Sequence, residues 1–101
     1  MTAKRHPGIA DQVLAMAADV IKCLGHPLRL RLVEALESRE RSVSELQQYT
    51  GATQTAVSQQ LHNLKAKGIV DNRREGSRMF YYITEPKVSA ILNCIRSCDL
   101  P

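Results

Sequence analysis

Two short amphipathic segments joined by one tight turn constrain this chain more than any other feature. Ser42 and Glu45 form an S-x-x-E capping box that opens the first segment, and Gly51 ends it. The spacing predicts that Leu46 and Tyr49 of this segment face inward. The sequence therefore predicts a short helix that begins at about residue 42 and ends at Gly51.

The second segment follows after the turn Thr50-Gly51-Ala52. Thr53 can cap it and Gly68 can close it. Its inner apolar stripe is Val57, Leu61 and Leu64. Two short helices around such a turn predict a helix-turn-helix over residues 42–68.

Helical spacing continues on both sides of this unit. A first helix is predicted from about Ile9 to Leu24, and Pro27 suits the first turn of a second. Strand-like segments at 69–72 and 79–83 flank a charged turn that contains Gly76, which predicts a β-hairpin, or wing, over residues 69–83. The apolar side chains of the first helix, spaced three or four residues apart, are Ile9, Val13, Met16, Ala17, Val20 and Leu24.

A last helix is predicted over residues 86–98, beginning at Pro86. Its apolar stripe is Val88, Ile91, Leu92 and Ile95. The predicted fold is thus one domain over residues 1–101, mostly α-helical with a short β-hairpin. It is a winged helix-turn-helix of four helices, two strands and a fifth helix, with a disordered tail at residues 1–8.

Composition limits size and location. A chain of 101 residues supports one modest core, so association of two copies would hide more apolar surface. No apolar run approaches the roughly 18 residues of a membrane span. The first ten residues lack the apolar stretch of an export signal, and we expect a cytoplasmic protein.

Sequence motifs of catalysis are missing. The chain has no glycine-rich phosphate loop, G-x-S-x-G, HExxH or recognisable carboxylate pair. Cys23 and His26, three residues apart, are conceivable as a catalytic pair, but a domain of this plan is not expected to form a cleft. We predict a protein that is not an enzyme. A dimerisation module without DNA binding is a further class, which the basic residues of the wing argue against.

The outer face of the fourth helix is polar and free of acid. No Asp or Glu occurs from Gln54 to Gly68, whereas an ordinary solvent-exposed helix would more often mix Glu with Lys. Amides and hydroxyls are suited to base edges and phosphates in the major groove. The predicted DNA contacts on this helix are Gln54, Thr55, Ser58, Gln59, His62 and Lys65.

The fourth helix and the wing together carry most of the net charge. From Gln54 to Ile83 there are five basic residues and two acidic ones, which gives +3 of the chain's +4. A basic wing can lie along the phosphate backbone or enter the minor groove, although charged tips also serve solubility. The predicted contacts here are Arg73, Arg74 and Arg78, which surround Glu75.

Three sequence runs together resemble the ArsR/SmtB family of bacterial repressors. They are Ile21 to Leu32, Gln54 to Leu64, and Arg73 to Tyr82 with its Tyr81-Tyr82 pair. The resemblance implies a homodimer held by the first and last helices. It also implies binding to an inverted repeat in operator DNA, with repression that a small inducer relieves.

The sequence departs from the family's best-known sensing sites. Where the resemblance places the cysteines of the arsenic-type site, this chain has Gln47 and Tyr49. The positions that match the zinc-type site are Glu85, Lys87, Cys98 and Pro101, of which Glu85 and Cys98 can ligate a metal. The resemblance therefore implies no arsenic-type site and an incomplete zinc-type site.

Cys23, Cys94 and Cys98 are the candidate sensing residues. Cys94 and Cys98 are four apart and are predicted to share one face of the last helix. The cysteines can serve as small apolar packing residues, or can form a disulfide or polysulfide bridge in response to an oxidant or reactive sulfur. They can also bind a soft ion such as As(III), Cd(II) or Sb(III), with no cofactor otherwise required.

The three histidines are assigned other positions. His26 is predicted to cap the second helix, His62 to face DNA, and His6 to lie in the tail. None has a spacing from the cysteines that predicts a shared metal site.

Overall fold

The computed structural model describes residues 8–98 and contains five helices and a small antiparallel sheet. The elements are α1 (Asp11–Cys23), α2 (Pro27–Ser38), β1 (Arg41–Ser42), α3 (Val43–Thr50), α4 (Gln54–Ala66), β2 (Val70–Glu75), β3 (Arg78–Ile83) and α5 (Lys87–Arg96). This order confirms the predicted winged helix-turn-helix. The predictions for residues 1–7, for His6 and for Pro101 lie outside the described residues.

The sheet has three strands in the order β1-β3-β2, where a two-stranded hairpin was predicted. The additional strand pairs Arg41 with Tyr81 and Ser42 with Phe80. It is two residues long, too short for an alternating pattern to reveal it. Strand β2 also extends past its predicted end to Glu75, because cross-strand pairing continues through charged residues up to the turn.

The helix ends follow the sequence signals closely. Nδ1 of His26 accepts a hydrogen bond from the Leu28 N–H at 3.2 Å, which confirms the predicted cap of α2. The capping box of α3 is complete, and Gly51 after it has φ 76°, a value that favours glycine. Oγ1 of Thr53 accepts from the Ala56 N–H at 3.1 Å and begins α4.

The core lies between α2, α3, α4 and the sheet, with α1 and α5 joining from one side. Its largest fully buried side chains are Leu24, Leu32, Leu46, Leu61, Leu64, Ile69, Val33, Val57, Val70 and Val88. Within residues 8–98, no helix is both long and apolar enough to cross a membrane.

One sequence prediction for side-chain burial is wrong. Tyr49 is 43% exposed, and the Arg41 guanidinium lies over its ring at the protein surface, with Cζ 5.0 Å from the ring centroid. Along α1, Val20 is buried, whereas Ile9, Val13 and Met16 are exposed within a single chain. The apolar stripe of α1 therefore runs beyond the core of its own chain.

Candidate DNA-binding surface and cysteine positions

Helix α4 presents a continuous polar face. Val57, Leu61 and Leu64 are buried, which fixes the rotation of the helix and turns the other side outward. The six side chains predicted to contact DNA are all exposed: Gln54, Thr55, Ser58, Gln59, His62 and Lys65. The arrangement can place amide and hydroxyl groups in a DNA major groove.

Helix α3 and the turn brace this helix. Oγ1 of Thr50 donates to the Leu46 carbonyl at 2.8 Å and accepts from the Ala52 N–H at 3.2 Å. These two bonds satisfy backbone groups at the end of α3 and at the turn. These bonds therefore stabilise the turn that sets the position of α4 relative to α3.

The capping box is also an electrostatic feature. The Ser42 N–H donates to Oε1 of Glu45 at 2.9 Å, and the Glu45 N–H donates to Oγ of Ser42 at 3.2 Å. The hydrogen bond from the Ser42 backbone, with the nearby charge of Arg39, lowers the pKa of Glu45. Glu45 therefore stays ionised at neutral pH at the N-terminus of α3, where a negative charge is favourable.

Four side chains of the wing share one face of the sheet. Arg73 pairs with Phe80 and Glu75 with Arg78, and directly paired residues lie on the same face. The guanidinium carbons of Arg73 and Arg78 lie 5.1 and 4.9 Å from the centroid of the Phe80 ring. Phe80 therefore joins both arginines in cation–π contacts.

These two arginines also bind residues that precede α3. Nε of Arg73 donates to Oε1 of Glu40 at 2.7 Å, and its Nη1 donates to Glu75 at 3.3 Å. Nη2 of Arg78 donates to Oγ of Ser42 at 2.9 Å. The hydrogen bond that Arg73 donates to Glu40 raises the pKa of Arg73. Arg73 and Arg78 thus tie the wing to the start of the helix-turn-helix.

Arg74 lies on the opposite face of the sheet. It pairs with Met79, and Asn72 shares its face because side chains alternate along a strand. Oδ1 of Asn72 accepts from Nζ of Lys65 at 3.2 Å, and Oδ1 of Asp71 on the other face lies 3.9 Å from the same nitrogen, so the end of α4 meets the start of β2. Arg74 itself is exposed. The three arginines that the sequence grouped together therefore have different surroundings.

Sequence reasoning missed Glu40 and Asn72. Both are polar residues at positions without a motif, and their partners lie 33 and 7 residues away, respectively. The sequence signal for Glu40 is weak, since an acidic residue before a capping box has many possible cationic partners. Only the pairing of the strands identifies Arg73 as the partner of Glu40.

The three cysteines occupy different environments. Cys23 is the last residue of α1 and is buried in the core, at 5% exposure. Cys94 and Cys98 are exposed in the single chain. The predicted last helix is too long, because α5 ends at Arg96 and Cys98 lies two residues after it. All three are free thiols.

Side chains able to bind a metal do not cluster in the part of the chain that the structure describes. Across residues 8–98, no group of three His, Cys, Asp or Glu side chains is placed to hold a metal ion. The three thiols, all within residues 8–98, therefore do not form a trigonal metal site in one copy of the chain.

An apolar surface extends over α1 and the end of α5. Met16 and Ile21 are 52% and 57% exposed, and Ile95 on α5 is 47% exposed. A cleft of about 280 Å³ between α2 and α5 borders this surface at Leu92 and Ile95, although the sequence predicted no cleft. Large apolar side chains in such number on a small domain indicate an interaction surface.

Comparison with known proteins settles the family. A family described as "Bacterial regulatory protein, arsR family" matches residues 26–72. The biofilm growth-associated repressor of Xylella fastidiosa is 44% identical over 78 residues, which are 77% of this chain and 68% of that protein. This chain belongs to the ArsR family. It is a DNA-binding transcriptional regulator and not an enzyme, as the sequence predicted.

Solved structures of ArsR-type regulators have the same fold. The transcriptional repressor BigR from Xylella fastidiosa superposes with a TM-score of 0.84 at 37% identity, covering 90% of this chain and 93% of that one. A homodimeric winged helix-turn-helix DNA-binding domain from Mycobacterium bovis superposes with a TM-score of 0.71 at 32% identity, covering 90% and 87%. The ArsR wing and helix-turn-helix described above are thus shared with known regulators.

Proposed function

We propose that this ArsR-family chain is a homodimeric repressor that acts in the cytoplasm on an inverted repeat in operator DNA. A thiol-reactive inducer, either an oxidant or reactive sulfur, then releases the repressor through its cysteines. The observation that carries the DNA-binding part is the acid-free outer face of α4, on which all six predicted contacts are exposed. Arg74 on the wing is exposed as well and can contact a phosphate.

The apolar surface on α1 and α5 supports the homodimer. Val13, Met16 and Ile21 are about half exposed in one chain, where water would contact them unfavourably. We expect the pairing of two copies through these helices to relate the two α4 helices by a two-fold axis and to bring both to one side of the dimer. An inverted repeat has the matching symmetry, with half-sites about one helical turn apart.

The positions of the cysteines support a switch that is coupled to helix packing. Cys94 and Cys98 are accessible, whereas Cys23 is buried at the end of α1. In the proposed step, Cys23 and Cys94 or Cys98 lose two protons and two electrons to form a disulfide, while the oxidant is reduced. With a polysulfide inducer, the two thiols instead lose their protons and join through inserted sulfur, while the polysulfide is reduced and its remaining sulfur leaves as hydrogen sulfide. Because Cys23 is buried and the other two thiols are exposed, we expect either bridge to alter the packing of α1.

A soft-ion sensor is the second candidate within the same family. Three thiolates suit As(III), Cd(II) or Sb(III), and the exposure of Cys94 and Cys98 leaves both free to ligate across two chains. A repressor whose cysteines only pack is the remaining alternative, and the burial of Cys23 fits that role.

Footprinting and stoichiometry test the DNA-binding proposal. Reduced, metal-free protein is titrated onto a labelled duplex from the DNA upstream of its gene. We expect two chains per duplex and a hydroxyl-radical footprint with two-fold symmetry. A single chain per duplex, or uniform protection along the DNA, would contradict the proposal. As(III) or Cd(II) is then added to the complex, and the ion sensor predicts that the DNA is released.

A further inference from the structure

Arg29 occupies an unfavourable position for its charge. It lies in the first turn of α2, where the N–H groups carry partial positive charge, and that turn has no acidic residue. A cation here is disfavoured by the helix dipole, so α2 itself gives no reason for an arginine. The reason lies in what the side chain joins.

The half-buried guanidinium of Arg29 connects two other helices. Its Nη1 donates to the backbone carbonyl of Cys23 at 2.8 Å, and its Nε donates to Oε1 of Gln60 at 2.6 Å. Cys23 is the last residue of α1, so this carbonyl lies at the negative end of a helix, where a cation is favoured. The second bond reaches 31 residues along the chain to α4.

Gln60 is well placed to control the outer face of α4. It is half-buried and lies between Gln59, which is exposed, and Leu61, which is fully buried. Consecutive residues are about 100° apart around a helix, so holding Gln60 fixes the direction in which Gln59 points. The amide of Gln60 therefore has a structural partner, whereas its neighbour remains available to DNA.

We propose that Arg29 is a positioning residue that holds the recognition helix α4 against the end of α1. Because α1 forms part of the proposed dimer surface, Arg29 also sets the distance between the two recognition helices. This inference rests on the proposed dimeric DNA binding and adds a residue that does not itself contact DNA. A displacement of the Cys23 carbonyl reaches α4 through the same side chain.

A double-mutant cycle tests the connection. Arg29→Ala, Gln60→Ala and the double variant are titrated as full-length reduced protein onto the upstream duplex. We expect each single change to weaken binding about tenfold, and the double variant to be no weaker than either. Arg31→Ala is the control. Arg31 lies two residues after Arg29, carries the same charge, and has an exposed side chain that pairs with Glu34. It should leave affinity within about twofold.

Half-site spacing and salt dependence separate positioning from direct contact. After footprinting, one base pair is inserted between the half-sites; wild type should discriminate strongly against this duplex, and Arg29→Ala and Gln60→Ala should discriminate less. The salt slope should not change, because no phosphate contact is lost. A slope lowered by about one unit in Arg29→Ala, or multiplicative effects in the double variant, would overturn the inference.

Folding does not confound the test. Thermal unfolding of each variant sets the temperature for the titrations, and Gln60→Ala keeps the bond from Arg29 to Cys23 if Arg29→Ala fails to fold. Unchanged spacing preference in folded Gln60→Ala would refute the role of Arg29 while leaving repressor function intact. Failure of wild type to bind any upstream duplex would refute the proposed function and the inference with it.

Discussion

The guanidinium of Arg73 donates to the carboxylate of Glu40 at 2.7 Å, reaching from β2 across β3 to the residue before β1. This pair, together with Glu75, neutralises Arg73 within the protein. Arg78 is likewise engaged with Ser42, whereas Arg74 lies on the other face of the sheet and is exposed. The wing arginines should therefore contribute unequally to DNA binding.

Arg74→Ala should lower the salt slope of binding by about one unit, because one phosphate contact is lost. Arg73→Ala is the matched control in the adjacent position and should lower the slope by less, since its charge is already paired with Glu40. Anisotropy titrations over a series of KCl concentrations give the slopes. Equal reductions in the two variants would contradict the division of the wing into two faces.

Gln59→Ala and Ser58→Ala should weaken binding to the operator more than binding to an unrelated duplex. Each side chain is exposed on α4, and loss of a base contact costs about 1–3 kcal/mol of discrimination. Gln48→Ala removes an exposed glutamine from α3 and should keep the specificity ratio unchanged. If the α4 variants weakened binding to both duplexes equally, the assignment of α4 as the recognition helix would be wrong.

The sequence was sufficient for the fold because its local signals agree. The Ser42–Glu45 capping box, the His26 cap and Gly51 are each decided by residues within a few positions of one another. The strand β1 and the Arg73–Glu40 pair depend on a sheet that joins distant segments. Sequence spacing alone could not supply these partners.

The candidate site was also predicted only where local signals decide it. The exposed face of α4 follows directly from helical periodicity, since burying Val57, Leu61 and Leu64 leaves one outer side. The two faces of the wing and the bond from Arg29 to Gln60 required tertiary structure. Cys98 was misplaced on α5 because helix ends are the least certain feature of a periodic pattern.

Stability should depend on pH through Glu45. Its pKa is lowered in the folded state, so the ionised carboxylate stabilises the fold above its unfolded pKa. This contribution is lost as pH falls through the lowered folded pKa. Urea unfolding of wild type and Glu45→Gln from pH 7 to pH 3 should show wild type more stable at neutral pH and the difference shrinking in acid. A difference that is constant with pH would contradict the role of the charge.

Ser42→Ala should destabilise the chain by about 1 kcal/mol or more, because it removes the N-cap of α3 and the acceptor for Arg78. Thr53→Ala removes only the cap of α4 and should cost less. Chemical denaturation of both variants measures the difference. A smaller effect for Ser42→Ala than for Thr53→Ala would show that the bond to Arg78 contributes little.

Val13→Glu should convert the proposed dimer to monomers, because it places a charge in the apolar surface of α1. Ala15→Glu is the matched control: it adds the same charge to the same helix, but on the opposite face. Sedimentation equilibrium of both variants and wild type reports the masses. A dimer that persists in Val13→Glu, or that dissociates equally in Ala15→Glu, would exclude this surface as the interface.

The most direct test of the account is operator binding across a redox cycle. Fluorescence anisotropy on the upstream duplex compares reduced, metal-free protein with the same sample after polysulfide treatment and again after a thiol reductant. The account predicts tight binding that is lost on treatment and recovered on reduction, with no loss in Cys23→Ser. Binding that ignores the treatment would contradict the cysteine switch, and no binding in any state would contradict the repressor itself.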